Sequence, residues 1–432
     1  METPSLDALS LVLGVAVINS SFATLGLINH RRLRRSRLGS LHVFRGSDSV
    51  WAVTGNDKYW GSHDMERVFR YEIGPSDEGQ DIHSFLRRKG YSRHILASMK
   101  PDPSAILLNG KHEYMCHPVC AGDVLTTHVS DPVSSKNIVP APVSFGIAWE
   151  DEDILVVNKP AGLAIHPAIS HPENTLGNGV VWYYGQQGIP FVFRCINRLD
   201  RDTTGLLIVA KNIVASCILE QALLRREIHR TYLAVAEGRT EPEGIVDAPI
   251  GRKTRSLIER CIDPENGERA VTHYRTLRYL PSGMSAPSPA GSLPVPGGQL
   301  PSGTSSQEGG RPLTDFSPRE NSRSLTDFPP KENGRSLTDF PPQENGRSLL
   351  ELRLETGRTH QIRVHMASLG HPLVGDTLYN PAYLRRPDDP VPPGTDMARQ
   401  ALHAWKLDFT HPITGNPMHL EAPVPEDMQA LL

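Results

Sequence analysis

One stretch of sixteen residues, INRLDRDTTGLLIVAK at 196–211, constrains this chain most, because a charged cluster runs directly into a strongly apolar segment. The cluster places Asp200 between Arg198 and Arg201, and residues 206–210 have the composition of a buried strand. A cation beside an aspartate favours the ionised carboxylate. An aspartate held in this way can act as a nucleophile, a base or a metal ligand. A salt-bridged turn with no chemistry is the alternative that the same residues allow.

The stretch resembles the signature of the RluA-type pseudouridine synthases, in which Arg-Leu-Asp precedes Thr, Ser or Thr, Gly and an apolar strand. Residues 198–210 follow that order. One position differs: the family has His before Arg-Leu-Asp, and this chain has Asn197, which can also donate and accept a hydrogen bond. The resemblance extends from about Met65 to the C-terminus, with one large interruption near 281–346.

Two further segments carry the same resemblance. An acidic residue run, a short apolar strand and the turn Asn-Lys-Pro-Ala-Gly at 158–162 match the family's first motif. The segment LLELRLETGRTHQIRVHMASLGHPLVGDTLY at 349–379 matches its third motif. The resemblance implies catalytic roles for Asp200 as nucleophile, Tyr232 as the stacking platform for the target base, and Arg363 as the salt-bridge partner of Asp200.

The resemblance also suggests residues that contact RNA. Arg198, beside Asp200, is a candidate to fill the gap that a flipped nucleotide leaves. His360 is a second candidate. Lys159 could contact a phosphate, although a surface residue on a turn fits the sequence equally well.

Pseudouridine formation breaks the N-glycosidic bond of a uridine, turns the base and rejoins it through carbon, so it requires no cofactor. The sequence agrees, because it has no P-loop and no Gly-x-Gly-x-x-Gly after a strand. His360, His365 and His371 invite a zinc site, but the first two are five residues apart instead of the four of a helical zinc pair. We therefore predict neither a metal nor a nucleotide cofactor. The five cysteines, without Cys-x-x-Cys, suit a reducing cytoplasm.

Residues 1–64 differ in composition from the rest of the chain. The apolar stretch 9–28 is long enough to span a bilayer, and five arginines come after it at 31–37. Polar residues in mid-stretch weaken that interpretation, and the segment lacks the basic start of a secretory signal. We expect a disordered N-terminal extension or a start-site artefact, with a membrane anchor as the alternative.

Residues 65–131 have the pattern of a small β-α-α-β module. Between 83 and 112 it carries six basic residues and one acidic residue, a local charge that suits phosphate binding even though the whole chain has a net charge of −3. The basic residues are Arg87, Arg88, Lys89, Arg93, Lys100 and Lys111. The order of helices, turns and charges resembles an S4-type RNA-binding domain. A solvated helix face is the alternative.

A proline-containing linker at 132–144 leads to a second domain at 145–432, which a low-complexity segment interrupts at 281–346. That segment contains three tandem copies of a twelve-residue unit, beginning at Arg311, Arg323 and Arg335. Its apolar content is too low to offset the entropy of ordering, so we predict a disordered loop between two strands. A repeated short binding motif is the alternative.

The predicted fold class is α+β: a pseudouridine synthase domain with a mixed, mostly antiparallel sheet, preceded by the small S4-like module. The predicted function is isomerisation of uridines in structured RNA, with ribosomal RNA ahead of tRNA, by a cytoplasmic monomer. Two alternatives belong to other classes. One is a non-catalytic RNA-binding protein with a decayed synthase domain, and the other is an aspartate-dependent hydrolase, for which a second carboxylate is missing.

Overall fold

The computed structural model describes residues 41–45, 50–54, 65–131, 135, 138–168, 173–254, 256–281, 346–384 and 397–432. The chain divides into two units, Met1–His63 and Asp64–Leu432. In the first unit, the backbones of β1 (Leu41–Arg45) and β2 (Val50–Thr54) pair as an antiparallel hairpin. The apolar stretch 9–28, predicted to belong to a disordered extension or a start-site artefact with a membrane anchor as the alternative, and the twelve-residue repeats lie outside the described residues. Within the described part of the chain, no helix has the length and apolarity to cross a membrane.

The small module begins the second unit and has the predicted order of elements. It contains β3 (Met65–Glu72), α1 (Ile82–Arg88), α2 (Arg93–Met99), β4 (Ile106–Leu108), β5 (Lys111–His112) and β6 (Val124–Asp131). The strands form an antiparallel sheet in the order β3-β6-β4-β5. Ser92 caps α2, as predicted, by accepting a hydrogen bond from the backbone N–H of Ile95 at 3.2 Å.

The larger domain places a long sheet among a few helices. Its elements are β7 (Gly146–Glu150), β8 (Ile154–Lys159), α3 (Leu176–Gly185), β9 (Arg194–Cys195), β10 (Thr204–Ala210), α4 (Ile213–Leu224), β11 (His229–Glu237), β12 (Glu243–Asp247), β13 (Ile250–Arg252), β14 (Arg260–Ile262), β15 (Val271–Pro281), β16 (Gly346–Leu354), α5 (Gln361–Ser368), β17 (Leu402–Thr410), β18 (Pro417–Glu421) and α6 (Glu426–Gln429). The strand order is β12-β15-β16-β11-β17-β10-β8-β7, with β18 beside β17 and β9 beside β10. Among the described strands every pairing is antiparallel except β10 with β17, which confirms the predicted mixed, mostly antiparallel sheet.

The predicted buried strand at 206–210 lies inside this sheet between β17 and β8, and all seven residues of β10 are buried. Side chains of a strand alternate between its two faces. Leu207 and Val209 pack in the same cluster as α3, while Leu206 and Ile208 pack in the cluster of α4. Both faces are therefore covered, so the run is continuously apolar instead of alternating.

Gly205 of the signature is required by the one parallel pairing in the described sheet. Its φ is +109°, and a Cβ there would lie 2.2 Å from the carbonyl oxygen of Ala404 on β17. No other residue could occupy this position without moving β17. The glycine thus lets two strands meet at the point where the Asp200 loop ends.

Charged pairs and a shared apolar cluster join the small module to the larger domain. Arg67 on β3 donates to both carboxylate oxygens of Asp153, at 2.9 and 3.1 Å. Arg194 forms a second fork with Asp131 at the end of β6, at 2.8 and 2.6 Å. Val214 of α4 is fully buried in the apolar core of the module. The module is therefore fixed against the domain instead of being joined only by the linker.

Candidate active site

The loop between β9 and β10 carries Asp200, and three side chains hold it, two through backbone carbonyl oxygens and one through the hydroxyl of Thr203. The Nζ atom of Lys159 donates to the carbonyl oxygen of Arg201 at 2.7 Å. Arg399 donates to the carbonyl oxygen of Asp202 at 3.2 Å. Nε2 of Gln400 donates to the hydroxyl of Thr203 at 3.1 Å. The Asp200 side chain, 26% exposed, projects from this supported loop toward α5.

Arg363 on α5 reaches that carboxylate, as predicted. Its Nη1 lies 3.4 Å from Oδ2 of Asp200. Its Nε and Nη2 donate to Asp376 at 2.7 and 2.8 Å, a bidentate pair that leaves one edge of the guanidinium for Asp200. Burial disfavours the charged form of Arg363, but hydrogen bonds and charges from Asp376, with Asp200, outweigh it and raise the pKa above its usual value. A permanent positive charge therefore stands beside Asp200.

Asp376 fixes the orientation of Arg363. Its side chain has no exposed surface, and its Oδ1 also accepts the backbone N–H groups of Leu378 and Tyr379 at 2.9 and 3.1 Å. The ring of Tyr379 lies 5.1 Å from the guanidinium carbon of Arg363, at cation–π distance. Because Asp376 is fully paired, the guanidinium cannot rotate away from Asp200 without breaking a buried fork.

His360 precedes α5 and lies near the same carboxylate oxygen as Arg363. Its Nε2 is 3.9 Å from Oδ2 of Asp200, and its Nδ1 is 2.8 Å from the hydroxyl of Tyr379. That hydroxyl accepts the backbone N–H of Arg260 at 2.8 Å, so its own proton is free to be donated to Nδ1. Burial lowers the pKa of His360 despite the opposing charge of Asp200. A neutral ring with its proton on Nε2, facing Asp200, satisfies these contacts.

Tyr232 lies on β11, where the register against β17 shifts between Thr231 and Tyr232. Such a bulge changes the direction of a side chain. Burial raises the pKa of Tyr232, so the residue is a neutral phenol, and Asp200 is close enough to contribute to that rise. The structure thus brings Asp200 and Arg363 into contact although they are 163 positions apart in the sequence, and Tyr232 is near enough for the charge of Asp200 to affect its pKa.

Lys159 does not fit the predicted phosphate contact. Its side chain has no exposed surface, and its three ammonium protons go to the carbonyl oxygens of Pro160, Leu163 and Arg201 at 2.8, 2.9 and 2.7 Å. Burial lowers its pKa to about 7. The prediction for this residue needs correction, since the ammonium supports the Asp200 loop from inside and has no donor left for RNA.

The remaining predicted RNA contacts are on the surface. Arg198 is exposed beside Asp200. On the small module Arg87, Arg88 and Arg93 are also exposed. Two of these have partners within the module, since Arg87 donates to the carbonyl oxygen of Tyr91 at 2.6 Å and Arg88 pairs with Asp77. Each of these two contacts uses one guanidinium nitrogen of the arginine, so the other N–H groups can donate to water.

Among the residues that the structure describes, one group of side chains has ligand atoms close enough for a metal ion: Asp151, Asp153 and His411, within 4.8 Å of one another. Asp153 already accepts the fork of Arg67. Asp151 accepts hydrogen bonds from the indole of Trp149 at 2.7 Å and lies 3.1 Å from His411. Because these side chains already have protein partners, we interpret the group as part of the junction between the module and the domain.

Several residues that shape the site were not identified from the sequence. Asp376, Tyr379 and Gln400 lie in segments that resemble the family, but nothing in their local pattern marks a role. Asp376 follows a glycine in Val-Gly-Asp-Thr-Leu-Tyr, where a turn is the obvious interpretation. The charge of Arg363 could have indicated Asp376, because a buried arginine beside a partly exposed carboxylate usually has a second, buried carboxylate partner.

Comparison with known proteins places this arrangement in a family. Residues 153–368 match the model of the family described as RNA pseudouridylate synthase. The uncharacterized RNA pseudouridine synthase YjbO of Bacillus subtilis (strain 168) is 32% identical over 354 residues, which cover 81% of this chain and 98% of that protein. Ribosomal large subunit pseudouridine synthase D of Escherichia coli O157:H7 is 35% identical, over 78% of this chain and 88% of its own.

A solved structure of human RNA pseudouridylate synthase domain containing 1 aligns with 66% of this chain and 84% of that chain, at 23% identity and a TM-score of 0.42. The region that matches the family model, residues 153–368, includes both Asp200 and Arg363. With the two bacterial relatives, this match establishes that this chain belongs to the RNA pseudouridylate synthase family, as its resemblance to the RluA-type enzymes implied.

Proposed function

We propose that this RNA pseudouridine synthase modifies a uridine of large-subunit ribosomal RNA and that Asp200 is its nucleophile. The observation that carries the chemical part is the placement of Asp200 against the doubly anchored Arg363, with Tyr232 adjoining. The relatives named for the large ribosomal subunit, at 35% identity, support the choice of RNA. The reaction needs no other reagent, since the base that leaves is the base that rejoins.

Each residue has a task that its position allows. Tyr232 is the proposed platform for the uracil; only 4% of the residue is exposed in this structure, so RNA binding must open one face of its ring. Stacking of this kind contributes about 1–3 kcal/mol per base. Arg198, exposed next to Asp200, can enter the space that the flipped nucleotide leaves. Asp200 then attacks the ribose carbon, attacks the ring or removes a sugar proton. All three steps require the same placement beside Arg363.

Asn197, which stands where the family has His, is the position of the signature that bears on the alternative of a decayed, non-catalytic RNA-binding protein. In the structure its Oδ1 accepts the backbone N–H of Ile208 at 2.9 Å. This hydrogen bond is with β10 and does not involve the Asp200 carboxylate. The residues that carry the proposed chemistry are all present, which favours an active enzyme over the decayed one.

The small module at 65–131 is proposed as an S4-like RNA-binding domain. The support is its exposed arginines, Arg87, Arg88 and Arg93, on or beside two short helices. The ion pairs Arg67–Asp153 and Arg194–Asp131 fix it to the synthase domain, so an RNA bound by both would be held at a defined distance. A monomeric state and a cytoplasmic location stay predictions.

Replacing Arg87 and Arg93 by Ala together should weaken RNA binding and make it less sensitive to salt. Each lost phosphate contact reduces the magnitude of the slope of log K against log [salt] by about 0.7–0.9. Loss of two contacts should therefore reduce the magnitude of the slope by roughly 1.5. Binding to a large-subunit rRNA transcript, measured by filter retention across a salt series, checks this. The matched control removes two charges elsewhere, at Arg275 on β15 and Lys406 on β17, which already pair with Glu351 and Glu421. Equal slopes for both double variants would rule out the module as the phosphate-binding surface.

The target RNA can be tested with purified protein and unmodified transcripts. We expect pseudouridine to form in a large-subunit rRNA transcript and to be absent or at least about tenfold slower in a mixed tRNA pool. The tRNA pool serves as the control because it offers structured uridines of the same chemistry. Faster modification of tRNA would contradict the proposed substrate and leave the isomerase activity intact.

A further inference from the structure

Arg230, at the start of β11, is an arginine whose charge no described carboxylate neutralises. Its Nε is buried and has no hydrogen-bond partner. Several arginines near the site have a carboxylate partner: Arg363 pairs with Asp376, Arg399 with Asp427, Arg358 with Glu268 and Arg226 with Glu355. A partly buried cation without a counter-ion is costly unless it meets an anion.

The surroundings of Arg230 place it at the site. Two residues farther along the same strand is Tyr232; burial raises the pKa of this phenol, and Arg230 is close enough for its positive charge to oppose that rise. Both Nη atoms would lie 3.3 Å from a Cβ at Gly357, in the loop that leads to His360 and Arg363. Because Gly357 lacks that Cβ, the loop before His360 leaves room for the guanidinium of Arg230. Arg230 therefore lies between the stacking platform and the loop that leads to Arg363.

We propose that Arg230 binds a phosphate of the target nucleotide and thereby positions the flipped uridine over Tyr232 and beside Asp200. A guanidinium fork matches a phosphodiester with two parallel hydrogen bonds, and RNA is the anion that this enzyme brings to the site. The inference rests on the proposed function, which supplies the flipped nucleotide. Arg230 is a positioning residue, since it acts on the phosphate and not on the bond that changes.

The test uses Arg230→Gln, which removes the charge, and Arg230→Lys, which keeps it without the fork. With an rRNA fragment that carries the target uridine, Arg230→Gln should raise KM roughly ten- to a hundredfold, and Arg230→Lys should recover part of that loss. The salt slope of binding should fall by about 0.7–0.9, the value for one phosphate. Arg275→Gln, at an arginine already paired with Glu351, is the control and should leave both quantities unchanged.

A charge-neutral methylphosphonate placed 5′ or 3′ of the target uridine identifies the phosphate. In the wild type one of the two replacements should weaken binding, and in Arg230→Gln that same replacement should have no further effect. If both replacements cost the variant as much as the wild type and the salt slope is unchanged, Arg230 does not bind a phosphate and acts only through Tyr232. Failure of the proposed function would look different, because the wild type would then not convert the unmodified fragment, while the salt slope would still report on Arg230.

Discussion

The change Asp200→Asn should reduce the rate of pseudouridine formation by at least about a thousandfold while leaving RNA affinity within about twofold. The amide keeps the shape of the side chain but removes the nucleophilic oxygen and the negative charge that faces Arg363 at 3.4 Å. The backbone of the loop should stay in place, because its contacts come from Lys159, Arg399 and Gln400. Single-turnover kinetics and filter binding on the same rRNA transcript measure the two quantities separately.

The matched control is Asp408→Asn, which makes the same atom change at a surface carboxylate paired with His419 on β18. It should leave both the rate and the affinity at wild-type values. If Asp200→Asn converts uridine at a rate near that of this control, the nucleophile has been assigned to the wrong residue. If Asp200→Asn loses RNA binding as well as turnover, Asp200 also supports the fold of the loop. The fall in turnover would then not measure its chemical role separately.

The second large effect is expected at Asp376, whose change to Asn should lower the free energy of unfolding by about 3–5 kcal/mol. The carboxylate has no exposed surface and holds the Arg363 guanidinium through two hydrogen bonds. Its loss leaves a buried positive charge with Asp200 as the nearest carboxylate, at the longer distance of 3.4 Å. Urea unfolding followed by circular dichroism measures the stability. Turnover should fall as well, because Arg363 loses the contact that aims it.

A second bidentate pair provides the control for burial. Arg399 and Asp427 have the same fork geometry, at 2.7 and 2.8 Å, but the Asp427 side chain is 46% exposed. Asp427→Asn should therefore cost much less, about 1 kcal/mol. Equal losses for the two variants would show that burial does not set the strength of the Arg363 pair. Arg363→Lys should keep some stability but little activity, since an ammonium cannot bind Asp376 and Asp200 with a planar fork.

Much of the fold could be predicted because its signals are local. The continuous apolar run of β10, the Ser92 cap and the alternation of helices and strands in the small module depend on neighbouring residues. The helix α3 was not predicted. It contains Gly177 and Gly179, which have low helix propensity, and the tertiary structure needs them, since a Cβ at Gly179 would lie 2.7 Å from the carbonyl oxygen of Val143.

The site could be predicted only where the family resemblance supplied it. Asp200, Tyr232 and Arg363 were identified in this way, and the structure then brought them together. The direction of the Lys159 side chain could not be predicted, because the Asn-Lys-Pro-Ala-Gly turn suggests an exposed lysine. Whether a side chain points inward depends on tertiary partners, here the carbonyl oxygen of Arg201, 42 positions away.

The central claim, that Asp200 converts a ribosomal uridine, is tested most directly by mapping pseudouridine at single-nucleotide resolution in the host. Maps of ribosomal RNA and tRNA would be compared with the gene present, deleted, and restored as wild type or Asp200→Asn. We predict that at least one site in large-subunit rRNA disappears on deletion, returns with the wild type and does not return with Asp200→Asn. A map that is identical in all four strains, or a site that Asp200→Asn restores, would contradict the account.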